Sequence, residues 1–133
     1  MLVAIKNWYK GNRIFIAVGI TLIITFLSLF RVSPVIPKLN LNHADKYQHA
    51  VAYFVVTLSW IWSFQTRNNN KSMQLWILFA VFFFGVLMEV LQEVMTNYRT
   101  ADVFDVLANT SGIVLAYLFF KVTRMKRVNL FFK

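Results

Sequence analysis

Along this chain, apolar residues gather into four long blocks separated by short polar breaks. Ile14–Phe30 is an unbroken, uncharged run of 17 residues, close to the minimum needed to cross roughly 30 Å of hydrocarbon at about 1.5 Å per residue. Tyr47–Phe64 is a second block, ending in Trp60, Trp62 and Phe64, and Leu75–Val94 is a third, with Phe79, Phe82, Phe83 and Phe84 at its middle. Val106–Val122 is the fourth, on a helix that starts near residue 104. The pattern predicts an all-α integral membrane protein with spans over about 14–30, 47–64, 75–94 and 104–122. No small-x-small cleavage site follows Ser28-Leu29-Phe30, so the first block reads as a retained span rather than a signal peptide.

The breaks between blocks hold residues that end helices: Pro34 and Pro37, then Asn68-Asn69-Asn70, then Thr96–Thr100. Such short connections favour an up-down four-helix bundle in which sequential antiparallel helices are the neighbours. The length of 133 residues makes this a single transmembrane domain over 1–133, so any chemistry sits in or at the edge of the bilayer.

Composition sharpens the class. The chain is 59% hydrophobic and 14% charged, far from the balance of a soluble enzyme. Cysteine is absent, which removes disulfides, thiolate metal sites and cysteine nucleophiles. A net charge of +9 resembles a nucleic-acid footprint until its distribution is read. With four spans, ten basic residues (Lys6, Lys10, Arg13, Arg67, Lys71, Lys121, Arg124, Lys126, Arg127 and Lys133) share one face and four (Arg31, Lys38, Lys46 and Arg99) the other. The positive-inside rule then puts both termini in the cytoplasm. The basic tail with Phe131 and Phe132 suits anionic headgroups, and no nucleic-acid module is present.

The acids carry more information. Asp45, Glu89, Glu93, Asp102 and Asp105, with His43 and His49, all fall at the non-cytoplasmic end. Positive-inside sorting acts on bases, so another cause has gathered them. Asp45, His49 and Tyr53 are spaced i, i+4, i+8 on one face, which descends about 12 Å from the interface. Glu89, Gln92 and Glu93 form a second stripe, and Asp102, Asp105, Asn109 and Gly112 a third. Ionisable groups inside spans face the bundle interior or a watery cavity, so the three stripes point to a shared pocket. Asp45 and Asp102 also suit helix starts, after Asn42 and Thr100. Glu89 sits near a helix C-terminus, where the dipole disfavours a negative charge, and Lys46 and Arg99 are the cations expected to answer it. Ala108, Gly112 and Ala116, four apart, form a small-xxx-small packing face.

Asp45-Lys46-Tyr47-Gln48-His49, then Tyr53, Glu89-Val90-Leu91-Gln92 and Arg99-Thr100-Ala101-Asp102 leading through Asp105 to Asn109 and Gly112, together resemble the VanZ-like family. The resemblance implies a small bacterial inner-membrane protein of about four helices, in a family named for a member associated with resistance to the glycopeptide teicoplanin. It defines no reaction. The family's polar positions carry over onto Asp45, Lys46, His49, Glu89, Gln92, Arg99, Asp102, Asp105 and Asn109.

Three functions compete. A non-enzymatic envelope protein would bind a headgroup, a lipid-linked molecule or a lipopeptide in its outward pocket, with Lys46 and Arg99 holding anionic groups. An intramembrane hydrolase or transferase on a lipid phosphate would use His49 as acid or base, carboxylates to hold a divalent metal and Arg99 to stabilise developing charge, but Ser111 lies deeper than the cluster and no other serine is near. A structural protein would use the cluster to fix helix register and meet partners through its Phe-rich surface. No cofactor and no metal is expected: one histidine with scattered acids lacks the two-histidine helix motif.

Overall fold

The structure, a computed structural model, describes residues 2–29, 44–64, 70–95 and 102–131. Four helices make it up: α1 (Leu2–Leu29), α2 (Ala44–Ser63), α3 (Lys71–Met95) and α4 (Val103–Phe131). Arg31, Pro34, Pro37, Lys38, Asn42, His43, Arg67, Asn68, Asn69 and Thr96–Thr100, Arg99 among them, lie outside the described residues.

The helices run past the apolar blocks because nothing in the adjoining sequence stops them. α1 begins well before Ile14, and α4 continues through the basic tail. Starts are set by side chains. The Asn70 carboxamide oxygen accepts the backbone N–H of Met73 at 3.2 Å, and the Asp102 carboxylate accepts that of Phe104 at 2.8 Å. Each satisfies a helix-end donor that has no partner within the helix.

Among the described residues, three segments are long and apolar enough to cross a membrane: Gly11–Leu29, Lys71–Met95 and Val103–Arg124. The chain is a multi-pass membrane protein. α2, expected as a fourth span, falls outside that group. Its 20 residues suffice in length, but Asp45, Lys46, Gln48, His49, Thr57, Ser59 and Ser63 dilute its apolar content. Phe15, Leu22, Phe83, Val94 and Phe104 are all more than half exposed, the surface expected of helices that meet lipid chains rather than water.

The packing departs from the expected order of neighbours. The most extensive contact joins α2 to α4, which are not sequential, while α1 touches α2 and α3. Gly112 explains the intimacy. A Cβ placed there would stand 2.1 Å from the backbone oxygen of Ala50, so α2 and α4 approach backbone to backbone as only a glycine permits. Ala116, one turn on, is fully buried, and Ala108, one turn back, is partly so. Tyr53, Val56, Ile61, Val81, Ile113 and Phe120 fill the apolar core below.

Candidate functional site

The start of α2, the end of α3 and the start of α4 meet at one end of the bundle, and their polar stripes face one another. Lys46 is the outermost link. Its ammonium donates to Asp102 Oδ2 at 2.8 Å and to Asp105 Oδ1 at 3.0 Å, with Asp45 at 4.0 Å. The hydrogen bonds to Asp102 and then Asp105 hold the ammonium well above the ordinary lysine range. The Lys46 contact, helped by the Phe104 backbone N–H, holds the Asp102 carboxyl below the usual carboxylate range. Asp102 therefore starts α4 and binds α2 to it, with one oxygen for each task. The ring of Phe104 lies 5.5 Å beneath the same ammonium, a cation–π contact.

Deeper in, the network changes from ion pair to hydrogen-bonded chain. Asn109 Nδ2 donates to Glu89 Oε1 at 3.1 Å, which turns Asn109 Oδ1 toward His49 Nδ1, 3.1 Å away. Glu89 Oε1 lies 3.4 Å from the same nitrogen. Both neighbours of Nδ1 are acceptors, so this nitrogen carries the hydrogen. His49 Nε2 faces Asp105 Oδ2 across 3.9 Å. His49, Glu89, Asp105 and Asn109 are all buried, at a depth about 6 Å below Asp45 along α2.

The expected residues thus separate into three groups. Lys46, His49, Glu89, Asp102, Asp105 and Asn109 form one connected network. Asp45 stays at its half-exposed rim, and Glu93 is exposed. Gln92 is buried, and its amide donates to the Ser28 carbonyl at 3.2 Å and to the Ser28 hydroxyl. Tyr53 lies below the network with its ring against Gly85, where an added Cβ would meet Cε1 at 3.0 Å. Of the two cations expected near Glu89, Lys46 lies one turn nearer the surface and is held by Asp102 and Asp105, and Arg99 lies outside the described residues; among the described residues Glu89 meets Asn109 and His49.

His49, Glu89 and Asp105 each offer a ligand atom, and the three atoms lie within 4.8 Å of one another. Spacing within single helices did not reveal this, because each residue comes from a different helix.

Helix α1 holds the polar residues that sequence reasoning passed over. Thr21 accepts the Trp60 indole N–H at 3.0 Å, the Arg13 carbonyl accepts the Ser63 hydroxyl at 2.8 Å, and Ser28 receives Gln92. A signal existed: Ala17, Thr21 and Ser28 follow i, i+4, i+11, a stripe of small and hydroxyl residues in an otherwise bulky helix. Beside this stripe a cavity of about 280 Å³ opens between α1 and α2, lined by Ile24, Leu27, Ser28, Gln48, His49 and Tyr53 with Ala52. Its walls are mostly apolar and one end is His49. A larger cavity, about 380 Å³, lies near Trp60, Phe64 and Trp76 and has no titratable group in its lining.

A family model described as VanZ/LLP1 matches residues 3–124. An uncharacterized protein of Schizosaccharomyces pombe is 38% identical over 82 residues, covering 62% of this chain and 49% of that relative. The chain therefore corresponds to about half the length of this relative. No solved structure matches.

Proposed function

Because the chain belongs to the VanZ/LLP1 family, we propose that it is a membrane protein whose buried polar network and adjoining cavity hold the polar head of an amphiphile: a lipid, a lipid-linked molecule or a lipopeptide. The cavity between α1 and α2 carries this reading. Ile24, Leu27, Ala52 and the Tyr53 ring suit a hydrocarbon chain, and Gln48, His49 and Ser28 suit a head group. In this reading α2 crosses the bilayer with the other helices in up-down order, both termini are cytoplasmic, the cluster faces outward and the membrane is a bacterial cytoplasmic membrane. Hydrogen bonds joining the end of α1 to the end of α3, the start of α2 to the start of α4, and α3 to α4 through Glu89 and Asn109 are consistent with that order. The resemblance to a teicoplanin-associated member makes glycopeptide susceptibility the first phenotype to measure.

Glu89→Gln and Asp105→Asn, expressed at unchanged level in a bacterial host, are expected to shift glycopeptide susceptibility and to reduce lipid retained by the purified protein in native mass spectrometry. Unchanged envelope phenotypes together with unchanged lipid retention would reject the reading.

A hydrolase is the second reading, supported by the placement of His49 between two carboxylates. Ser111, the serine expected nearest the cluster, is exposed and donates its hydroxyl proton to the Ala108 carbonyl at 2.7 Å, while Ser28 lines the cavity that His49 also lines. Release of phosphate from a polyprenyl phosphate by purified protein would favour it over binding alone.

A further inference from the structure

We propose that the cavity of about 380 Å³ between α1, α2 and α3 binds one acyl chain of an anionic phospholipid, whose head group meets Arg13 and Lys71. The site lies at the end of the bundle opposite the polar network and does not depend on the amphiphile reading. Its lining decides what can fill it. Val56, Ile77 and Val81 form a buried apolar floor. The Thr21 hydroxyl donates to the Ala17 carbonyl at 2.8 Å and accepts the Trp60 indole N–H at 3.0 Å, so these two polar groups already serve each other and the helix. An ordered water needs about two to four polar partners. In a bilayer, hydrocarbon is the filling that such walls accept.

Depth selects a chain from a single leaflet. The lining runs from Phe64 to Val56 on α2 and from Trp76 to Phe84 on α3, a distance of about 12 Å on each helix at 1.5 Å per residue. Half of the hydrocarbon thickness is about 15 Å. The outer end of the cavity has the aromatic belt of a membrane interface: Trp60 and Phe64 stack with centroids 6.0 Å apart, and Trp76 is 70% exposed. A chain seated here runs from that belt to the middle of the bilayer and touches three helices.

Charge selects the head group. All five acids of the chain belong to the opposite end of the bundle, whereas Arg13 and Lys71 stand beside this cavity's mouth. The Arg13 carbonyl accepts the Ser63 hydroxyl at 2.8 Å, which puts that turn of α1 against the residue preceding Phe64. Lys71 is exposed and begins α3, about 7.5 Å from Trp76 along the helix. A guanidinium has five N–H donors and suits a phosphate while serving other partners. The lysine stem lies along apolar surface and carries its ammonium to the head-group level. Each base near an anionic lipid is worth roughly fivefold in affinity.

Trp60 is the natural reporter. Trp8→Phe, Trp62→Phe and Trp76→Phe together leave it as the sole tryptophan, and it stands about 16 Å from His49 along α2, out of contact with a lipid in the cavity beside His49. The full-length chain is reconstituted in phosphatidylcholine bilayers containing rising fractions of chain-brominated phosphatidylglycerol or chain-brominated phosphatidylcholine, bromine being a contact quencher. The anionic lipid is expected to reach half-maximal quenching at a fraction about 10- to 30-fold lower. Lys71→Gln should reduce that preference about fivefold, and Ala80→Phe, at an exposed position on the cavity wall, should abolish it. Equal quenching by the two lipids, or a preference untouched in folded Ala80→Phe, would overturn the proposal and leave the amphiphile reading standing. Should the triple replacement fail to fold, native mass spectrometry of the otherwise unaltered chain decides. From an equimolar mixture of the two lipids, Ala80→Phe should lose one bound phosphatidylglycerol, and equal retention would overturn the site.

Discussion

Helices α1 and α2 reverse the usual relation between apolar content and burial. The Gly11–Leu29 segment of α1 is apolar enough to cross a membrane, yet 6% of it is buried, and Ala17 is its one buried side chain among those described. α2 carries the polar residues that keep it out of that group, and it touches each of the other three helices and buries His49, Tyr53, Val56, Thr57, Leu58 and Ile61. In lipid the difference has a simple cause. Hydrocarbon outside a bundle is as apolar as leucine inside it, so hydrophobicity takes a helix into the bilayer without drawing it to a neighbour. Close backbone approach and polar bonding do that, and α2 has both.

The glycines sharpen this contrast most. Gly112→Ala puts a methyl group where only 2.1 Å separates it from the Ala50 backbone oxygen, with Phe54 N at 3.1 Å. Neither is the far end of a flexible side chain, so α2 and α4 must part. A loss of about 3 kcal/mol or more is expected, read as a collapse of thermal stability in detergent. Gly19→Ala on α1, with nothing within 4 Å, should be neutral or gain up to about 1 kcal/mol from better helix propensity. Equal effects at the two glycines would end the distinction.

Removal of the deep bridge should rank next. Asn109→Leu strips Glu89 of a donor and His49 of an acceptor in a buried site, at an expected cost of about 1–3 kcal/mol. Chemical unfolding in mixed micelles would measure it. A neutral result would mean that water replaces the amide.

The surface ion pair predicts a pH dependence. The Asp102 carboxyl is held low in the fold, so its stabilisation is complete above the unfolded value of about 4 and is lost as pH falls through the folded one. The Lys46 ammonium is held high, so its stabilisation is complete below about 10.4 and is lost as pH rises toward the folded value. Thermal stability should therefore show a plateau between those limits. Lys46→Met should flatten the alkaline limb and weaken the acid one.

The smallest effects belong to α1. Thr21→Val and Ser28→Ala each remove a hydrogen bond between helices, worth about 0.6 kcal/mol on average in a membrane protein. They should loosen α1, seen as faster hydrogen exchange along Gly11–Leu29, while the contact of α2 with α4 is unchanged. Loss of the whole fold from either substitution would make α1 as integral as α2.

The site was legible in part. Periodicity put Asp45, His49 and Tyr53 on one face of α2, but Lys46 makes the connection to α4 and Asp45 stays at the rim. A stripe fixes which residues share a side of a helix; it does not fix the rotation of that helix against its neighbours. Gln92 shows the same limit. It shares a face with Glu89 and is buried like it, yet it reaches Ser28 on α1, a partner that no spacing within α3 could reveal.

The amino-acid sequence by itself determined four helices, their membrane setting and the collection of acids at one end, because these depend on local periodicity and on the cost of charge in hydrocarbon. It also marked Gly112 as a place of close approach. The tertiary structure alone decided that α2 pairs most closely with α4, that Lys46 is held by Asp102 and Asp105, and that His49 lies between Glu89 and Asp105. Those results depend on how separate helices rotate and lean against one another, which is set by contacts between residues tens of positions apart.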